Sequence, residues 1–191
     1  MNSRKDATRG DNLDPSNESS RTEIAIAKAE GVAYGSALKY LTTAEASDSG
    51  EREVGDYIVA YSIEDAEGLY EMRDGVLQWT EPLQENCHIE IAVRNASDGR
   101  FLPSLSITAT VLDDKGAELQ SFKVPFLWHP WVYHYGANRA IPQSGKYKLR
   151  IHIDVPTFSR HDRINGRRFE QPVDVEFDIN IKTGRKLSPA A

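Results

Sequence analysis

The chain has 191 residues, 39% of them hydrophobic and 27% charged, a globular composition with length for one domain, a substantial core and tails. The formal net charge of -6 excludes a general nucleic-acid binder, and no apolar run is long enough to span a bilayer. The single cysteine, Cys87, excludes an internal disulfide and a Cys-built zinc site, and at the head of an alternating strand it fits a small core residue.

Residues 1–22 are polar and rich in Ser, Asn and Asp, which predicts a disordered tail, and they show no apolar stretch of the signal-peptide kind. Tyr34, Ala37, Leu38 and Leu41 recur at i, i+3, i+4 and i+7, one face of a short helix within a segment 23–50. Gly31 and Gly35 weaken that helix by roughly 1 kcal/mol each, and a strand at 24–27 is the alternative. The charged, glycine-containing stretch 45–55 predicts a loop.

From 51 to 183 the pattern is that of a β domain, with a period of two along each of its strands. Tyr57, Val59 and Tyr61 alternate with Ile58, Ala60 and Ser62. Two short strands, 69–72 and 76–79, flank Arg73-Asp74-Gly75, a hairpin turn. Ile89, Ile91 and Val93 take one face of a strand whose other face carries His88, Glu90 and Ala92. Leu105, Ile107, Ala109 and Val111 continue the alternation, followed by a strand at 119–124. Tyr147, Leu149, Ile151 and Ile153 line one face of a later strand that has His152 on the other. A basic loop, 156–171, holds Arg160, Arg163, Arg167, Arg168 and His161, the last a candidate outer ligand given a surface role. A final strand at 173–179 precedes a polar tail at 184–191. Many short strands joined by Gly-containing turns predict an all-β fold, an immunoglobulin-like antiparallel β-sandwich.

Two features carry candidate chemistry. The first is the His88/Glu90 pair, whose Cα atoms lie roughly 6 to 7 Å apart on one strand face, so both side chains can converge on one ion. If the strand of His152 shares that sheet, its imidazole joins them. Imidazole and carboxylate together suit iron, copper, manganese or zinc in the divalent state. The second is the stretch 125–138, PFLWHPWVYHYGAN, which sets His129 and His134 among Trp128, Trp131, Tyr133 and Tyr135. It predicts either a hydrophobic plug or an aromatic-framed site completed by His134.

The ordered set His88-Ile89-Glu90, Leu102-Pro103 with Leu105-Ser106-Ile107-Thr108, His134-Tyr135-Gly136-Ala137-Asn138, and Gly145-Lys146-Tyr147-Lys148-Leu149 leading to His152 resembles the periplasmic iron-transport proteins that accompany bacterial high-affinity iron permeases. The resemblance implies a homodimeric immunoglobulin-like sandwich that is not an enzyme and binds a divalent metal on a sheet face. It implies His88, Glu90, His134 and His152 as ligands, and beside it Trp128, Trp131, Tyr133 and Tyr135 read as plug and frame around His134. The family's usual methionine ligand is replaced by Leu127 and Trp128, and His129 is the reserve ligand near its place. It implies an iron permease as partner and a periplasmic address, whereas the visible N-terminus alone implies a cytoplasmic one. Two alternatives stand beside it: a cupin-like non-haem metalloenzyme with a closed barrel, and a metal-free β-sandwich interaction module.

Overall fold

The structure is a computed structural model and describes residues 12–182. One helix, α1 (Arg21–Ala44), precedes eleven strands: β1 (Asp48–Val54), β2 (Tyr57–Glu64), β3 (Leu69–Arg73), β4 (Val76–Thr80), β5 (Cys87–Asn95), β6 (Ile107–Leu112), β7 (Glu118–Lys123), β8 (Phe126–Leu127), β9 (His134–Arg139), β10 (Gly145–Ile153) and β11 (Val173–Ile181). They form a five-stranded sheet ordered β1-β2-β5-β9-β8 and a four-stranded sheet ordered β11-β10-β6-β7, with β3 and β4 a separate hairpin. All pairings are antiparallel. This is the expected β-sandwich, and its two sheets do not close into the barrel of the cupin-like alternative.

The core forms where the odd-numbered residues of β2, β5 and β10 meet between the sheets. Val59, Ile89, Ile91, Leu149 and Ile151 are fully buried there, each burial contributing about 1.5–3 kcal/mol. Cys87 lies in the same core with no exposed surface, and burial pushes its thiol up to about 12, so it is an inert apolar group. The even-numbered residues of β2 and β5 face outward, and α1 covers part of that outer face. Leu38 and Leu41 of the helix pack on Ala60 and Ala92, with Val132 from the β8–β9 loop closing the cluster. Small alanines at those two strand positions let the helix approach.

Several expectations change. The helix is long rather than short, running 24 residues straight through the alternative strand at 24–27. Ser20 caps it: its side chain accepts from the Glu23 N–H while Glu23 reaches back to the Ser20 N–H. Gly31 is required, because a Cβ there would lie 1.9 Å from the Asp98 carbonyl oxygen. Of the predicted disordered tail, residues 12–20 are docked on the 156–171 loop. The Asp14 N–H donates to Asn165 Oδ1, Ser16 Oγ donates to Asp162, and Arg168 donates to the Asn12 carbonyl. Residues 1–11, and the polar tail at 184–191, lie outside the described residues. The stretch read as a loop at 45–55 contains β1, an edge strand in register with β2. Its charges suit an edge, where they discourage pairing with other chains.

Candidate metal centre

The outer face of the five-stranded sheet carries a polar group beside the α1 contact. His88 and Glu90 project from β5, and His134 from β9 next to it. Ligand atoms of these three side chains all lie within 4.8 Å of one another, and all three residues are buried. Strand register explains the convergence: Glu90 stands opposite Gly136, and His88 opposite Asn138, so His134 follows two residues along on the same face. Gly136 leaves the space between them open. A Cβ there would meet His88 Nε2 at 2.6 Å and Leu127 Cδ1 at 2.8 Å.

Hydrogen bonds around the group fix which nitrogen each imidazole presents. Asn138 is clamped on the Glu67 backbone, its Nδ2 donating to the Glu67 carbonyl at 2.7 Å and its Oδ1 accepting from the Glu67 N–H at 3.3 Å. That orientation makes Oδ1 the acceptor for His88 Nδ1–H at 2.8 Å. His134 Nδ1 lies 3.3 Å from the Val132 carbonyl, which can only accept. Both rings therefore hold their proton on Nδ1 and turn an Nε2 lone pair into the group, as metal-bound histidines do when a carbonyl oxygen holds the other nitrogen. Among the described residues neither Nε2 has a hydrogen-bond partner, although both atoms are buried. His134 Nε2 stands 3.1 Å from Glu90 Oε1, a contact of lone pair with carboxylate unless one proton is shared between them. Buried polar atoms left unpaired cost about 1–3 kcal/mol each, so two facing one point mark a place built for something else.

The carboxylates complete the electrostatics. Ser62 Oγ, directly across from Glu90 in register, donates to Glu90 Oε2 at 2.5 Å. Glu64, two residues along β2, faces the same carboxylate. Burial raises Glu90 to about 7, and burial with the neighbouring Glu90 charge raises Glu64 to about 8. Glu67 Oε1 lies 3.6 Å from His88 Nε2 at the solvent side. Burial lowers His88 to about 4, so its imidazole is neutral and available for ligation at neutral pH.

His152 does not join the group. The expectation required β10 and β5 to share a sheet, but β10 pairs with β6 and β11 in the other one. Its ring lies on that sheet's outer surface, Nδ1 2.9 Å from Asp174 and Nε2 3.2 Å from Asp154. The hydrogen bond that its Nδ1–H donates to the Asp174 carboxylate is the main cause of its raised pKa. His161 is 93% exposed and stands 3.0 Å from Glu18. The plug assignment also changes. Tyr135 is buried, its hydroxyl donating to the Leu102 carbonyl and accepting from the Leu105 N–H, but Trp128, Trp131 and Tyr133 are exposed. The plugging residue of the loop is Val132. Ser62 and Glu64 were missed, although their place opposite Glu90 and His88 follows once β2 and β5 are paired in register.

FetP of uropathogenic Escherichia coli strain F11 superposes with a TM-score of 0.59 over 71% of this chain and 95% of that one, at 22% identity. Copper-reconstituted P19 of Campylobacter jejuni gives 0.57 over 72% and 96%, at 19% identity. At these identities the likeness establishes the fold. The search of curated proteins gave no match. The profile of the Fe2+ transport protein family matches residues 70–182, more than half of the sequence and the span that holds His88, Glu90 and His134. The chain belongs to the Fe2+ transport protein family.

Proposed function

We propose that this protein carries a divalent transition-metal ion for an iron-uptake system, held by His88 Nε2, His134 Nε2 and a Glu90 carboxylate oxygen. The observation that carries this reading is the pair of buried, unpartnered Nε2 atoms aimed at one point beside a carboxylate. Two neutral imidazoles and a hard oxygen suit Fe(II), Mn(II), Cu(II) or Zn(II). The carboxylate offsets ion charge that burial would otherwise make costly. Glu67, half exposed at the solvent side, adds negative potential where a cation would enter. The copper-bound forms of FetP and P19 variants show that proteins of this fold take a transition metal. An iron permease, a second copy of this chain and an extracytoplasmic setting are the context this reading implies; FetP itself was produced in the periplasm. Transport, the family's description, favours cargo binding over turnover.

Calorimetric titration with Fe(II) under anoxia, Cu(II) and Zn(II) tests it. Stoichiometric binding is expected, lost in His88→Ala and unchanged within about twofold in His152→Ala, whose ring lies on the other sheet. Equal affinity in wild type and His88→Ala would overturn the assignment. Absence of any bound metal in wild type would favour the metal-free interaction module.

A further inference from the structure

Resting on that reading, we propose that His129 is a further imidazole ligand of the same centre and sets its preference for divalent, borderline-hard ions over Cu(I). Three imidazole rings stand in a row on the outer sheet face. The His88 and His134 centroids are 6.2 Å apart, and those of His134 and His129 are 6.0 Å apart. With each nitrogen about 2.0–2.1 Å from a shared ion, the centroids of two bound imidazoles lie roughly 5 to 6 Å apart. His129 stands outside the three side chains whose ligand atoms already converge, so it would ligate an ion on the His134 side of the centre once its ring turns inward. Its Nδ1 is buried and has no hydrogen-bond partner among the described residues, a third orphaned imidazole nitrogen beside the two already described.

The loop that carries His129 is held in place by α1. Tyr34 Oη donates to the Tyr133 carbonyl at 2.6 Å, and Val132 is buried against Leu38 and Leu41. Tyr40 meets Trp131 edge to face at 5.7 Å, and Trp131 in turn meets His129 edge to face at 5.4 Å. Leu127, whose Cδ1 approaches the His88 side of the group, offers no donor atom. Nitrogen from His129 in a centre without sulfur moves the donor set toward Cu(II), Zn(II) and Fe(II) and away from Cu(I), which favours thioether and thiolate.

The test compares wild type, His129→Ala and His129→Met, each loaded with Cu(II) alone, with Zn(II) alone, or with Cu(I) under anoxia. Pulsed electron paramagnetic resonance of the Cu(II) form counts coordinated imidazoles. His129→Ala is expected to show one fewer than wild type and to bind Zn(II) about ten- to hundredfold more weakly. His129→Met is expected to gain Cu(I) affinity relative to Cu(II), which a purely structural role for His129 would not produce. Thermal melts of the apoproteins check that the substitutions leave the fold intact. An unchanged imidazole count in His129→Ala, with an unchanged Cu(I)/Cu(II) ratio in His129→Met, would overturn the inference. In that case loss of binding in His88→Ala would still support the two-histidine centre, so the two readings fail separately.

Discussion

At the scale of residues, the centre depends on a side chain that is missing. Gly136 faces Glu90 across the β5–β9 register, and a methyl group there would lie 2.6 Å from the His88 nitrogen that presents the lone pair. Flanking strands hold the backbone on both sides, so the imidazole is what must move. Gly136→Ala is therefore expected to weaken Zn(II) binding by at least about tenfold, in the range seen when a ligand loses its support. Its cost in stability is about 1–3 kcal/mol from overpacking. Calorimetry beside thermal melts separates the two effects; full affinity in the variant would show that His88 is not held where the structure has it. The same neighbourhood shows what single residues disclose in a sequence. A His-x-Glu pair on an alternating strand announces a shared face, and the structure has that face. His152 obeyed the same alternation and is still on the far side of the sandwich. Periodicity gives the face of a strand but not the sheet to which the strand belongs.

At the scale of elements, the strands were legible because one buried face imposes a period of two, and Asp74-Gly75 marked its hairpin because both residues take positive φ. β1 was hidden because an edge strand needs no apolar alternation, and none of its residues is fully buried. The docking of residues 12–20 was hidden because polar side chains bonded to a distant loop leave no periodic trace. Gly31 is the instructive case for α1. Helix propensity alone makes Gly31→Ala stabilising by about 1 kcal/mol. Contact with the Asp98 carbonyl at 1.9 Å and the Gly99 carbonyl carbon at 2.7 Å opposes it, and backbone atoms cannot swing aside as a flexible side chain can. The clash wins. The variant is expected to melt several degrees lower, since each kcal/mol corresponds to about 2–4 °C for a chain of this size. It is also expected to bind Zn(II) more weakly, because α1 seats Val132 in the loop that leads into His134. A higher melting temperature would mean that the helix does not pass the Asp98 and Gly99 backbone at this distance.

At the scale of the whole molecule, the centre makes stability depend on pH in two opposing ways. His88 is lowered from its ordinary 6.5 to about 4, so the stability it contributes is present above 6.5 and is lost as pH falls through about 4. Glu90 and Glu64 are raised from 4.5 to about 7 and about 8, so their contribution is present below 4.5 and is lost as pH rises through those values. The groups facing them are Glu67 from the β2–β3 connection and His134 and His129 from the β8–β9 segment, and burial lowers both of these histidines as well. The two limbs overlap between 4.5 and 6.5, where the gain from one set offsets the loss from the other, so the metal-free protein is expected to be most stable within that window and to weaken on either side of it. A cation reverses the upper limb, since it binds the ionised carboxylate and the neutral imidazoles and stabilises the folded form by mass action. At pH 5 it must displace the proton of Glu90; at pH 8 Glu90 is largely ionised and Glu64 about half ionised. The rise in melting temperature on adding Zn(II) is expected to grow steadily from pH 5 to pH 8, and Glu90→Gln should flatten that growth. A Zn(II)-induced rise of the same size at both pH values would mean that the cation does not draw on the buried carboxylates, and the ligand set would have to be sought among the exposed groups instead.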